Sequence, residues 1–403
     1  MFTSFFGVSA MTSALSNTYG RLPIAFTHGK GVWLWDTQGR RYMDCLAGIG
    51  VSCLGHAHPK LVAAISEQAA RVIHTSNIYE IPQQAALAER ITAISGMTEV
   101  VFGNSGAEAN EAAIKLARLY GYNKGNDLPT IITMESSWHG RTIGTLAATD
   151  SDKAKKGFGP LPEGFIKVKY NDLNAIKDAA AKEPRVVAVL LEVLQGEGGI
   201  RPSDIQYMKD LRALCTANGW LMMIDEVQSG IGRTGKWLAH QWAEIIPDVV
   251  VLAKGLGGGV PIGAIAAQGP AAGVFTPGTH GTTFGGSPLV CAAGLAVFAA
   301  LEEEKLLENA TRVGNHLKDG LKQALAGVEG VKEVRGQGLM LGIELARPCG
   351  VLVTQALEAG LLINVTRDCV LRLLPPLILS LEDADHIITT LVPLIKSFCA
   401  TKA

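Results

Sequence analysis

Apolar positions along this chain follow two patterns that alternate over most of its length. Uninterrupted apolar runs occur at Ile131 to Met134, Val186 to Leu191, Leu221 to Ile224 and Val249 to Ala253, and Glu99 to Phe102 reads as a further short strand. Between them lie stretches with apolar residues at helical spacing, such as Leu61 to Val72 and Ile81 to Ile94. A β-branched run without alternation is covered on both faces, as parallel strands are. The succession of helix and strand from about Pro59 therefore predicts an α/β domain with a mostly parallel sheet. Ahead of it, GVWLWDTQGRRYMDCLAG alternates and predicts a short antiparallel strand pair around Asp36 to Gly39. A hairpin-like stretch around Pro261 to Gln268 precedes HGTTFGGSP. From about Leu301 the pattern changes to a charged amphipathic helix, Leu301 to Leu325, followed by glycine-rich strands through VRGQGLMLGIEL. Ser380 and Asp383 then read as the capping box of a last helix. The expected organisation is an N-terminal segment over residues 1–60, a large domain over 61–300 and a smaller α+β domain over 301–403, with 1–60 joining the small domain.

Composition narrows the function classes. With 403 residues, 48% apolar content and a formal net charge of −1, the chain can bury a large core and offers no charge excess for nucleic acid or an anionic membrane. No stretch approaches the roughly 18 continuous apolar residues of a membrane span. The first charged residue is Arg21, so the opening lacks the basic start of a secretory signal and the arginines of a transit peptide. The first ten residues read as an extension, with Met11 as an alternative start. Seven scattered cysteines, an odd number, suggest reduced thiols. The expectation is a cytoplasmic protein. Cys53, His56 and His58 in CLGHAHP suggest a metal cluster, but no second cluster completes it and glycine and proline mark a turn, so no metal is expected.

Candidate chemistry concentrates at strand ends. Lys254 ends the Val249 to Ala253 run and is followed by Gly255 and the triple glycine Gly257 to Gly259. Open α/β sheets bind ligands at the carboxyl ends of their strands. An ammonium there loses hydration, which lowers its pKa towards that of a usable nucleophile, while glycines admit a flat ligand. Asp225 ends the Leu221 to Ile224 strand in the same way. A lysine and an aspartate so placed have a common use with pyridoxal 5'-phosphate: the lysine carries the cofactor as a Schiff base, and the aspartate keeps the pyridine nitrogen protonated. Two other motifs compete. Ser105 and Gly106 open a helix whose amides and dipole favour a phosphate, although ordinary capping by Asn104 or Ser105 explains the same residues. GIGRTGKW, Gly230 to Trp237, nearly spells a nucleotide-binding loop, but Trp237 replaces the magnesium-binding hydroxyl and Asp225 and Glu226 would repel phosphates.

The stretches DEVQSGIGRTGKW, AKGLGGGVPIGA, NSGAEANEAAIKLAR, SSWHGRT, EVLQGEGG and HGTTFGG resemble the motifs of class III (ornithine-type) pyridoxal-phosphate aminotransferases. They occur in that family's chain order, and the resemblance runs from about residue 20 to the C-terminus. It implies fold type I: a large domain with a mostly parallel, seven-stranded sheet and a small domain built from both termini. It implies that Lys254 and Asp225 are catalytic, and that Gly106 and Ala107 bind the cofactor phosphate through their amides, with Ala107 where threonine is usual. Trp138 would stack on the ring, Val227 would pack beneath it and Gln228 would bond its phenolic oxygen. Glu226 belongs to the same cofactor-binding motif without an assigned role. Arg141 would hold the substrate carboxylate. Glu197 would cover Arg372 until a dicarboxylate binds. Glu192 departs from the usual Glu-Pro pair, with Val193 in place of proline. Thr283 would reach the cofactor phosphate of a second subunit and Thr282 its substrate, which makes a homodimer part of the site.

The implied reaction moves a terminal amino group, foremost that of N2-acetyl-L-ornithine, to 2-oxoglutarate. Succinylornithine, ornithine, 4-aminobutyrate and a succinylated diaminopimelate intermediate are alternative donors. An aminomutase on the same fold needs no second substrate, so paired arginines argue against it. A non-catalytic binding protein would need neither Lys254 nor Asp225.

Overall fold

The structure, a computed structural model, describes residues 14–401; the expected extension and Met11 lie outside them. Its centre is a seven-stranded sheet made of β1 (Glu99–Gly103), β2 (Thr130–Met134), β3 (Phe165–Val168), β4 (Val186–Leu191), β5 (Leu221–Asp225), β6 (Val249–Leu252) and β7 (Gly263–Ala267). The spatial order is β1-β7-β6-β5-β4-β2-β3. All neighbours run parallel except β7, which is antiparallel to both β6 and β1. The expected hairpin around Pro261 to Gln268 is thus one strand inserted into the sheet. Its Gly263 pairs with Gly103, so the start of β7 lies at the same edge as the end of β1.

Alternate residues of β5 and β6 enter different cores, which is why their sequences show no alternation. Val249 and Val251 join the cluster under the helix Gly106–Asn123, while Val250 and Leu252 join the opposite cluster with Leu87, Ile91 and Phe298. In β5, Leu221 and Met223 face the first side, and Met222 and Ile224 pack with Met208, Leu211 and Cys215 of the helix Ile205–Asn218. Each such side chain contributes about 1.5–3 kcal/mol of burial.

The two chain ends meet outside this sheet. Strands Phe26–Lys30, Trp33–Asp36 and Arg41–Asp44 form an antiparallel meander, and Leu361–Leu362 adds to its edge in parallel with Arg41–Asp44. A second four-stranded sheet orders Val331–Gln337, Met340–Leu345, Val370–Leu373 and Asn364–Thr366 as successive neighbours. The closing helix, Leu381–Ala400, opens on the Ser380–Asp383 capping box.

One expectation needs correction. The segment predicted as a single helix from Leu301 to Leu325 belongs to two, Pro288–Glu303 and Leu306–Leu325. Lys305 breaks them with φ of 52°, in the left-handed region. The first helix is apolar on most sides and buried, so it carries little amphipathic periodicity to read. The CLGHAHP residues also separate: Cys53 donates to the Gly255 carbonyl at 3.2 Å, His56 pairs with Asp44 at 2.9 Å and His58 with Glu304 at 3.2 Å.

Candidate active site

The carboxyl ends of β1, β2, β4, β5 and β6 surround a cavity of about 510 Å³. Lys254 follows β6 directly and adopts φ of +46°, a strained conformation for a non-glycine residue. Burial, followed by the charge of Arg372, lowers its pKa to about 8, against the opposing pull of Glu197, Asp225 and Glu192. Asp225 ends β5 and is buried. Its carboxylate accepts from Asn110 Nδ2 at 2.8 Å and from the Val227 amide at 2.9 Å, and His139 Nδ1 lies 2.8 Å from Oδ2.

The helix Gly106–Asn123 starts at the same rim. Ser105 caps it by accepting from the Glu108 amide, whereas the amides of Gly106 and Ala107 have no partner among the described residues. A side chain at Gly106 would put its Cβ 2.8 Å from Val227 Cγ1, so glycine lets the turn approach the loop after β5. Trp138, Val227 and Gln228 line the cavity, and the Arg141 guanidinium lies over the Trp138 ring at 5.0 Å. Arg141 is exposed and makes no ion pair among the described residues.

Glu197 also lines the cavity, and Arg372 lies buried behind it. Arg372 Nη1 donates to Glu197 Oε1 at 2.6 Å and to Gln228 Oε1 at 3.3 Å, and its Nε donates to Asn364 at 3.1 Å. The sequence expectation of a covered arginine therefore describes this conformation.

Glu226 is placed elsewhere, which corrects its expected role in cofactor binding. Its carboxylate turns away from the cavity and accepts from Ser229 Oγ at 2.6 Å and from the amides of Ala239 and His240, with His240 Nδ1 at 3.1 Å. A strand reverses side chains at successive positions, so the residue next to Asp225 is used to pin a loop. The neighbouring Gly230 to Trp237 loop docks on the C-terminal part of the chain: Arg233 donates to the carbonyls of Leu339 and Pro375, and Trp237 stacks on Phe298 at 4.9 Å. Thr282 and Thr283 do not line the Lys254 cavity. Thr282 borders a separate cleft and accepts from Asn104 Nδ2 at 3.2 Å, while Thr283 is exposed.

Two polar residues of the site were not singled out from sequence, Asn110 and His139, and Glu192 was noted there without a role. Asn110 follows Gly106 by one helical turn, and His139 sits between Trp138 and Arg141, so spacing from recognised residues was the available signal. Glu192 accepts from the Trp138 amide and the Gly196 amide, both at 2.9 Å. Burial beside the negative Asp225 pushes it up to about 7, opposed by His139 and by those two amides. Val193, where proline is usual, is buried, and the chain runs on into the short strand Leu194–Gln195.

These walls suit pyridoxal phosphate. Two free amides at a helix start can take a phosphate, Trp138 offers a ring face, Asp225 is held rigid by three partners, and a lysine of lowered pKa stands opposite. The buried Asn110 Oδ1 and His139 Nε2 have no partner among the described residues, so polar capacity remains at the Asp225 end.

The Aminotransferase class-III family matches residues 14–395. The chain is 73% identical over 390 residues to acetylornithine aminotransferase 1 of Bordetella bronchiseptica, covering 97% of this chain and 99% of that one. Among solved structures, ornithine aminotransferase of Toxoplasma gondii, described with pyridoxal phosphate at partial occupancy in its active site, superposes with a TM-score of 0.91 at 34% identity, covering 95% of this chain and 92% of that chain. Acetylornithine aminotransferase of Elizabethkingia anophelis gives 0.84 at 33% identity, covering 95% and 96%. Sheet order, site and relatives agree, and the chain belongs to the class-III aminotransferases, which are pyridoxal-phosphate-dependent enzymes.

Proposed function

We propose that this aminotransferase moves the terminal amino group of N2-acetyl-L-ornithine to 2-oxoglutarate, giving the acetylated semialdehyde and L-glutamate, a step of arginine biosynthesis. The observation that carries the reading is the pair of arginines at different depths. Arg141 is open beside Trp138, and Arg372 is buried and neutralised by Glu197. A donor with one carboxylate remote from its amine needs only the first, whereas glutamate and 2-oxoglutarate need both. The name of the 73% identical relative supports the same donor.

In this reading pyridoxal phosphate supplies the electron sink. The amides of Gly106 and Ala107 would hold its phosphate, Asp225 would serve its ring nitrogen, Trp138 and Val227 would flank the ring, and Gln228 would take its phenolic oxygen. Lys254 Nζ would hold the cofactor and would serve as base and then acid for the proton at the reacting carbon of the substrate. Its lowered pKa suits both tasks. His139 and Asn110 orient the Asp225 carboxylate, which preserves one geometry through both half-reactions.

The working unit in this reading is a homodimer. Thr283 is exposed, and the segments around it present Ile73, Ile78, Tyr79 and Phe284 to solvent with exposures from 55 to 80%. Large apolar side chains grouped this way mark an interaction surface. Thr283 of the partner subunit would complete the phosphate site. None of the described helices is long and apolar enough to cross a membrane, and a cytoplasmic location is part of the proposal.

A steady-state panel of N-acetylornithine, succinylornithine, ornithine, 4-aminobutyrate and succinylated diaminopimelate intermediate, each with 2-oxoglutarate, tests the donor. N-acetylornithine should give the highest kcat/KM. A clear preference for another amine would reassign the substrate while leaving the enzyme class intact.

A further inference from the structure

The carboxylate-reading pair is anchored at both ends by one three-residue strand. Asn364–Thr366 is the edge strand beside Val370–Leu373, and Asn364 lies directly opposite Arg372 in the antiparallel register. Residues opposite one another, and residues two apart on one strand, share a face. Asn364, Thr366 and Arg372 therefore face the same way, towards the Glu192 to Ile200 segment. On that face Asn364 Oδ1 accepts from Arg372 Nε at 3.1 Å, and Thr366 Oγ1 donates to the Glu197 backbone carbonyl at 2.5 Å. Thr366 is buried, so its hydroxyl contact is not shared with bulk water.

The two bonds leave different atoms free. Glu197 engages Arg372 through Nη1, while Asn364 uses Nε. If the Glu197 carboxylate swings away, the guanidinium keeps two neutral partners, Asn364 on Nε and the longer Gln228 contact on Nη1, and stays in its plane, ready to present Nη1 to an arriving carboxylate. A neutral amide can hold the cation without cancelling its charge, which a second carboxylate would do. Thr366 fixes the Glu197 main chain, so that swing is confined to the side chain. The Glu197 side chain is 34% exposed and has room to turn, whereas that of Arg372 is 1% exposed and does not.

From this geometry we infer that Asn364 and Thr366 are positioning residues that set how readily the site accepts a second carboxylate. Asn364 holds the receptor cation and Thr366 holds its cover. The inference rests on the proposed role of Arg372 as a carboxylate receptor and goes beyond it by assigning the device that controls that role.

The two residues predict opposite signs. Asn364→Ala should weaken dicarboxylate binding, because Arg372 then keeps only the longer Gln228 contact and the ligand must supply the rest of its ordering. Thr366→Val should strengthen it, because a loosened Glu197 covers the arginine less well, and Thr366→Ser should restore the native value. The test is calorimetric titration of the cofactor-loaded enzyme with glutarate, an unreactive dicarboxylate, and with butyrate, which carries one carboxylate. Glutarate Kd should rise about tenfold in Asn364→Ala, as expected for a lost hydrogen bond to a charged group, and fall severalfold in Thr366→Val, with butyrate unchanged in both. Thermal melts identify a variant that fails to fold, and Asn364→Ser is then the substitute at that position. Equal changes for glutarate and butyrate, or unchanged glutarate binding in folded variants, would overturn the inference. Arg372→Ala separates the two layers. If it leaves wild-type glutarate affinity intact, the receptor role fails and the positioning role fails with it; if it abolishes the affinity while Asn364→Ala does not weaken it, only the positioning role fails.

Discussion

At the scale of single residues, the proposed chemistry depends on a lysine whose surroundings oppose its charge. Burial, and after it the charge of Arg372, disfavours the Lys254 ammonium and lowers its pKa to about 8. A lowered lysine pKa means that the neutral amine accumulates as pH rises through 8, with about half neutral there against under about 1% for an ordinary lysine. Acylation of Lys254 by an amine-directed reagent, followed by peptide mass spectrometry, should therefore climb through pH 8 and level off above about 9. Arg372→Ala should shift that midpoint upward, since it removes a positive neighbour. Lys254→Ala should lower turnover by on the order of a thousandfold or more while the protein still folds. Appreciable transamination by this variant without added amine would remove Lys254 from its role. The arginines should divide the substrates. Arg372→Ala is expected to reduce single-turnover kcat/KM for glutamate about a hundredfold, the scale of a charge-assisted pair, with little effect on the N-acetylornithine half-reaction, whereas Glu197→Ala should let glutamate compete better as donor. Equal losses in both half-reactions would make Arg372 a structural residue.

At the scale of elements, the site depends on strands that end together. β7 enters the sheet antiparallel between β1 and β6, so its first residue, Gly263, abuts the turn before the helix Gly106–Asn123. A Cβ there would lie 2.2 Å from the Ser105 carbonyl oxygen. Backbone atoms cannot yield as a flexible side chain would, so Gly263→Ala should displace the turn whose amides are proposed to take the phosphate. The expected result is a folded enzyme with at least about tenfold weaker cofactor affinity, measured by titrating apoenzyme with pyridoxal phosphate and following the visible absorbance. Unchanged affinity would show that the turn adapts. The left-handed Lys305 matters in a different way: it turns the buried helix Pro288–Glu303 into the amphipathic Leu306–Leu325, which covers the C-terminal sheet.

For the whole molecule, the strongest prediction concerns the proposed dimer. If Thr283 completes the site of a second copy, Lys254→Ala and Thr283→Asp chains should each be nearly inactive alone, the second because an aspartate repels the phosphate. A mixed dimer would contain one site with both defects and one with neither. Random exchange of equal amounts should thus restore about a quarter of wild-type activity, given twofold symmetry. Activity that stays at the sum of the separate variants after refolding them together would mean that each site is complete within one chain. The exposed Ile73, Ile78, Tyr79 and Phe284 belong to the same surface, and a sedimentation measurement of the protein gives its size independently of activity.

The sequence alone determined which runs become buried strands, because a residue covered on both faces must be apolar at every position. It also pointed to two residues that line the cavity, since Asp225 and Lys254 directly follow such runs and their charges are out of place there. The bounds of β4 matched the apolar run Val186 to Leu191 residue for residue. Tertiary structure alone decided which polar residues turn inward. Glu226 and Asp225 are adjacent and chemically alike, yet one pins a loop and the other lines the cavity, because the strand sends them to opposite sides. It also decided the long-range pairings. Asn110 and His139 reach Asp225 across 115 and 86 residues of chain, and Asn364 and Thr366 gain their partners only when an edge strand docks beside Val370–Leu373. Periodicity reports which face of an element is covered and carries no information about which distant segment covers it. That choice is made by packing, which is a property of the folded chain as a whole.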